Sequence, residues 1–158
     1  MANKHRKELE KVYNPLYSTL KGSGVSRDTC WYCGSPMTEW DHCPPLHGVE
    51  YYGTKMLFEK GISLHLIPSC QLCNSILGPK MLLTPIERLL HLRDRYCQKV
   101  EESKSFWTEE ELEELGSGLK SYVLKSQNRL SESIAKLKGV TYRIASMDNG
   151  ETHEENLP

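Results

Sequence analysis

The sequence predicts an α+β protein, in which a small core of two strands and a short helix is flanked by longer helices. Three observations predict it. Two Cys-x-x-Cys pairs, Cys30/Cys33 and Cys70/Cys73, stand in the middle of the chain. Between them lie two strand-like runs, Pro36 to Asp41 with Trp40 near its end, and the apolar, β-branched Ile62 to Ile67. Outside the pairs, apolar residues recur at helical spacing between start and stop signals.

In chain order, residues 3–21 read as a helix, with Leu9, Val12, Tyr13, Leu16 and Leu20 at helical spacing and Pro15 imposing a kink or break. Its basic side faces DNA or, more plainly, the helix packs on the core. Lys21-Gly22-Ser23-Gly24 reads as a linker, so residues 1–27 form an N-terminal helical arm. The core spans residues 28–80: strand, loop, strand, then one or two helical turns from Cys70 to Leu77, stopped by Gly78-Pro79.

Thr84-Pro85-Ile86-Glu87 opens a helix to about Glu102, since threonine caps, proline suits the first turn and glutamate closes a capping box. Thr108-Glu109-Glu110-Glu111 repeats the logic after Phe106-Trp107, where Trp107 can staple the helix to a neighbour. Gly116 and Gly118 mark a bend, and a further helix follows from about Leu119 to Leu137 with a stripe of Tyr122, Val123, Leu130, Ile134 and Leu137. Residues 81–138 therefore form a C-terminal helical extension, which covers the core or makes a homodimer or heteromeric contact. In residues 139–158, Val140 to Ala145 add a strand or stay extended, and Asp148 to Pro158 form an acidic, flexible tail.

The 158 residues carry a net charge of −1, enough chain for one small domain with extensions and no strong advertisement of nucleic-acid binding. Charge is uneven: Lys4, Arg6, Lys7, Lys11, Lys21 and Arg27 outnumber Glu8, Glu10 and Asp28 at the start, and acids dominate the end. A local basic face would bind phosphates with modest, salt-sensitive affinity. No apolar run approaches bilayer length and no leader pattern is visible, so a soluble, cytoplasmic protein without membrane association is expected.

In a reducing compartment, paired Cys-x-x-Cys knuckles favour metal over disulfide, and two knuckles complete a tetrahedral four-sulfur zinc site. Cys30, Cys33, Cys70 and Cys73 are its expected ligands; two unrelated pairs of buried thiols are the alternative. Cys43 and Cys97 lack such partners and read as free thiols. The Asp41-His42 dipeptide ends the first strand and Asn74 follows the last cysteine, so folding can bring Asp41 and Asn74 together. A carboxylate and an amide oxygen suit Mg2+ or Mn2+. His42, beside the ligand rather than on the metal, can take a proton from water.

C-x-x-C, D-H, P-x-C-x-x-C-N and the downstream Lys80 together resemble the HNH, or ββα-metal, endonucleases built on a treble-clef zinc scaffold. The resemblance covers about residues 28–80, and its Asn-ending form is similar to the phage recombination endonuclease VII branch. It implies hydrolysis of DNA phosphodiester bonds, with His42 as general base, Asp41 and Asn74 holding the catalytic divalent metal (Mg2+ or Mn2+, with Ni2+ or Zn2+ as further options), and a phage or anti-phage defence setting. One position departs from the pattern. The asparagine usually found five residues before the third cysteine is His65 here, which can brace the loop by another hydrogen bond, add a metal ligand, weaken the site or have no catalytic role.

Lys80, Arg88 and Arg95 are the expected nucleic-acid contacts, although the arginine-bearing helix also reads as a solvated face. His47, in the loop after Pro44-Pro45, is a further candidate for metal or phosphate, or a solvated loop residue. The alternative to the nuclease is a catalytically inactive zinc-stabilised nucleic-acid-binding or adaptor module, or a nuclease subunit that needs a partner protein.

Overall fold

The structure is a computed structural model and describes residues 2–21, 26–102 and 107–148. The Gly22-Ser23-Gly24 linker, Phe106 and nearly all of the acidic tail lie outside the described residues.

Helix α1 (Ala2–Tyr13) stops at Pro15, which lacks an amide proton; Asn14–Leu16 tighten into a 3-10 turn. The chain then enters a two-residue strand, β1 (Ser18–Thr19). This strand pairs in parallel with β3 (His65–Ser69), Ser18 opposite His65 and Thr19 opposite Leu66. Strand β2 (Glu39–Cys43) runs antiparallel on the other side, with Asp41 opposite Ile67 and His42 opposite Leu66. The sheet order is β1-β3-β2, so the N-terminal arm is sewn into the core rather than merely packed on it.

The expected loop between the strands contains two short helices, α2 (Leu46–Tyr52) and α3 (Thr54–Glu59). Neither has a side-chain cap, so no sequence signal announced them; they persist by burying Leu46, Val49 and Leu57. With Tyr17 and Leu64 these residues form one of two apolar clusters among the described residues. Helix α4 (Gln71–Leu77) follows Cys70 and ends at Gly78, whose φ of 48° few other residues adopt cheaply.

Helix α5 (Pro85–Glu102) begins where the capping signal placed it, with Thr84 Oγ1 accepting from Glu87 N and Glu87 Oε2 accepting from Thr84 N. Helix α6 (Glu109–Glu113) carries the expected Thr108/Glu111 capping box. Helix α7 (Ser117–Asp148) is one continuous 32-residue rod, about 48 Å long at 1.5 Å per residue. It runs straight through Val140 to Ala145, correcting the strand or extended segment expected there. Val123, Leu130 and Val140 are buried along it, whereas Tyr122, expected in the apolar stripe, is 70% exposed. Helix α7 packs along α5, and Val140 joins Tyr32, Leu77, Leu89, Leu92 and Tyr96 in the second cluster, around the cysteines.

Candidate metal centre and the adjoining cavity

The first knuckle is a tight turn: Gly34 N donates to Cys30 O (2.8 Å), and Gly34 takes the left-handed φ of 77° that lets the chain double back. The second enters α4. Together they bring the sulfurs of Cys30, Cys33, Cys70 and Cys73 within 4.8 Å of one another, all four residues buried. Tetrahedral zinc with Zn–S bonds of about 2.3 Å separates its sulfurs by roughly 3.8 Å, and Cys33 Sγ lies 3.8 Å from Cys70 Sγ. The four cysteines can therefore hold a structural metal such as zinc.

Their protonation fits the same conclusion. Hydrogen bonds among the thiols push Cys30 and Cys73 up, and push Cys33 down to about 6 and Cys70 lower still, Cys30 being the leading partner for the last two. Four sulfurs this close cannot all ionise without a cation among them; a dication stabilises all four thiolates at once.

Outer groups surround the cluster. Tyr96 OH lies 3.3 Å from Cys73 Sγ. From α7, buried Lys136 sets Nζ 3.7 Å from Cys70 Sγ and donates to Ser35 Oγ at 3.0 Å. Burial opposes its charge, but the neighbouring Cys33, Cys70, Cys73 and Glu132 hold its pKa above the ordinary lysine value. An ammonium here offsets part of the excess negative charge of a four-thiolate zinc site. Arg143 Nε donates to Trp31 O (2.9 Å) and its guanidinium lies 5.4 Å from the Trp31 ring centroid. Between them, Gly139 meets the first knuckle so closely that a Cβ would fall 2.2 Å from Cys33 O.

Asp41, expected on the catalytic cation, is otherwise engaged. Arg88 Nη1 donates to both of its carboxylate oxygens at 2.7 Å, and Tyr32 OH donates to Oδ2 at 2.5 Å. Burial is the leading influence on Asp41 and raises its pKa, against Arg88 and the hydrogen bonds, which lower it. Arg88, expected at a nucleic-acid surface, is fully buried and corrects that assignment: its fork ties α5 to β2. Of the other expected contacts, exposed Lys80 donates to Ile76 O (2.7 Å), and exposed Arg95 donates to Gln98.

A cavity of about 670 Å³ opens between α1, β2, the start of α2 and α4. His42, His47, Asn74, Glu39 and Asp41 line it, together with His5 and Arg6 of α1. Asn74 Nδ2 donates to Glu39 Oε2. Glu39 precedes Asp41 by two, the strand period that puts both on one face. That periodicity was the signal by which Glu39 could have been found. His42 Nε2 lies 2.7 Å from Asn14 Oδ1, and the Tyr17 ring meets its ring edge-on at 4.9 Å. Burial, with Arg6 and Arg88 adding and Glu10 opposing, lowers the His42 pKa and keeps the ring neutral at neutral pH.

His65 is not part of this lining. It faces Cys43 and Ser18 in the sheet register, and its buried Nδ1 has no partner among the described residues. The contributions of Asn14, Lys136 and Gly139 left no motif in the sequence, because each acts through a distant segment. Among the described residues no helix is long and apolar enough to cross a membrane. Comparison with protein-family models, curated proteins and solved structures found no match for the chain.

Proposed function

We infer that the protein is a metal-dependent endonuclease of HNH type that hydrolyses DNA phosphodiester bonds, with His42 as general base. The observation that carries this reading is that a histidine, an asparagine and a carboxylate line one cavity, with Asn74 directly following Cys73 of the four-cysteine centre. His42 takes a proton from a water whose oxygen attacks phosphorus; the bond from phosphorus to the leaving oxygen breaks, and that oxygen is protonated by solvent.

The donor set for a catalytic cation differs from the expected pair. Asp41 gives its oxygens to Arg88 and Tyr32, whereas Glu39 and Asn74 already touch within the cavity. Glu39 and the Asn74 amide oxygen are hard donors that would hold Mg2+ or Mn2+, and such an ion would stabilise charge on the phosphate and leaving oxygen. Exposed Lys80 is the phosphate contact of this reading.

A second reading has its own support. The Asp41–Arg88 pair removes one expected metal ligand and one expected phosphate contact, which favours a zinc-stabilised adaptor or nucleic-acid-binding module without turnover, or a subunit that cuts only with a partner. Purified protein with Mg2+, Mn2+ or Ni2+ and plasmid, single-stranded or branched DNA separates the two. Cleavage abolished by chelator and by His42→Ala supports the nuclease. Intact DNA under every metal, with tight DNA or protein binding, supports the module.

A further inference from the structure

A general base needs one ring nitrogen free to accept a proton, and the other fixes which one by the hydrogen bond it makes. The core of this protein offers His42 no such partner from position 65, which lies outside the cavity. The partner comes from the N-terminal arm instead. Asn14, in the 3-10 turn that Pro15 forces, presents Oδ1 at 2.7 Å from His42 Nε2. An amide oxygen only accepts, so Nε2 must carry the proton and Nδ1 keeps the lone pair.

Two contacts that follow Asn14 hold the arm in place. Three residues on, Tyr17 packs edge-on against the His42 ring and donates to Pro44 O at 2.5 Å, bracing the corner that follows His42. Directly after Tyr17, β1 locks onto β3 through Ser18 N to Leu64 O and Leu20 N to Leu66 O, each 3.0 Å. Strand pairing thus sets the turn, and the turn sets the imidazole.

We propose that Asn14 is the positioning residue of His42, holding it as the Nε2–H tautomer so that Nδ1 is the proton acceptor. The catalytic part of this statement rests on the hydrolase reading above; the orientation of the ring does not. Asn14 is exposed, so replacing it removes the contact without opening the core.

The test uses the full, zinc-loaded chain with 15N-labelled histidine. Two-bond proton–nitrogen correlation spectra report which ring nitrogen carries the proton. Wild type should show His42 as Nε2–H, Asn14→Leu a mixture of tautomers, and Asn14→Asp, which keeps an oxygen acceptor, Nε2–H again. On supercoiled plasmid with Mg2+, Asn14→Leu should lower kcat roughly 10- to 100-fold with KM little changed, and Asn14→Asp should recover most of it. An Nδ1–H tautomer in wild type, an unchanged tautomer in Asn14→Leu, or equal loss of turnover in both variants overturns the proposal. Wild-type protein that leaves the plasmid intact counts against the hydrolase reading, and the tautomer comparison then decides the role of Asn14 alone.

Discussion

Replacing Gly139 by alanine should loosen the metal centre from the far end of the chain. In an open helix this substitution gains about 1 kcal/mol of helix propensity. At Gly139 the new Cβ would sit 2.2 Å from Cys33 O and 2.7 Å from its carbonyl carbon, main-chain atoms that no rotamer change can move. Ordinary contact begins near 3.4 Å, so α7 and the knuckle must part by about 1 Å. Overpacking of this kind costs about 3 kcal/mol, at the upper end of its usual range because backbone is met. The net is a destabilisation of about 2 kcal/mol, or roughly 4–8 °C in Tm for a chain of this size. Gly118, on the same helix, has open space for 4 Å around the place a Cβ would take. It serves as the control, since Gly118→Ala should be neutral or slightly stabilising. Thermal and urea unfolding of the zinc-loaded proteins measures both. A Gly139→Ala protein as stable as wild type would refute the close approach of α7 to Cys33.

Elemental analysis should find one zinc per chain, and Cys30→Ser or Cys73→Ser should unfold the core, seen as loss of tertiary circular dichroism, because metal binding is part of folding. Arg88→Met should destabilise by about 3–5 kcal/mol in denaturant titrations, since it strands a buried carboxylate, whereas a surface arginine would change little. Burial depresses the pKa of His42 and His65, so the folded state binds fewer protons than the unfolded chain; stability is intact above about pH 6.5 and falls as pH drops below it. His65→Asn should flatten that decline relative to wild type in unfolding midpoints between about pH 7.5 and about pH 5.5. If the protein cuts DNA, His42→Ala should lower the rate by roughly 100-fold or more in a plasmid assay.

What was legible in the sequence was local. Four cysteines at knuckle spacing, threonine–glutamate capping boxes at Thr84 and Thr108, and Pro15 each act within a turn of the chain, and each appears where its spacing put it. What was hidden depended on segments far apart. Asp41 stands in a motif that implies a metal ligand, yet its partner Arg88 lies on another helix, where helical periodicity gave no sign that a guanidinium would be buried. Two-residue β1 is too short for any alternation to show, and its pairing with β3 is what carries Asn14 to His42. The expected helix ended near Leu137, short of Gly139; glycine there is small enough for α7 to rest against the Cys33 backbone, and tertiary packing carries the helix past it.

The seat of α7 on the first knuckle also orders events during synthesis. Cys73 leaves the ribosome well before Lys136, Gly139 and Arg143 do, so the nascent chain can acquire its ion while the sulfurs are still open to solvent. An ion bound at that stage would lie beneath α7 once the last helix docks, and its removal would require that helix to lift from the first knuckle.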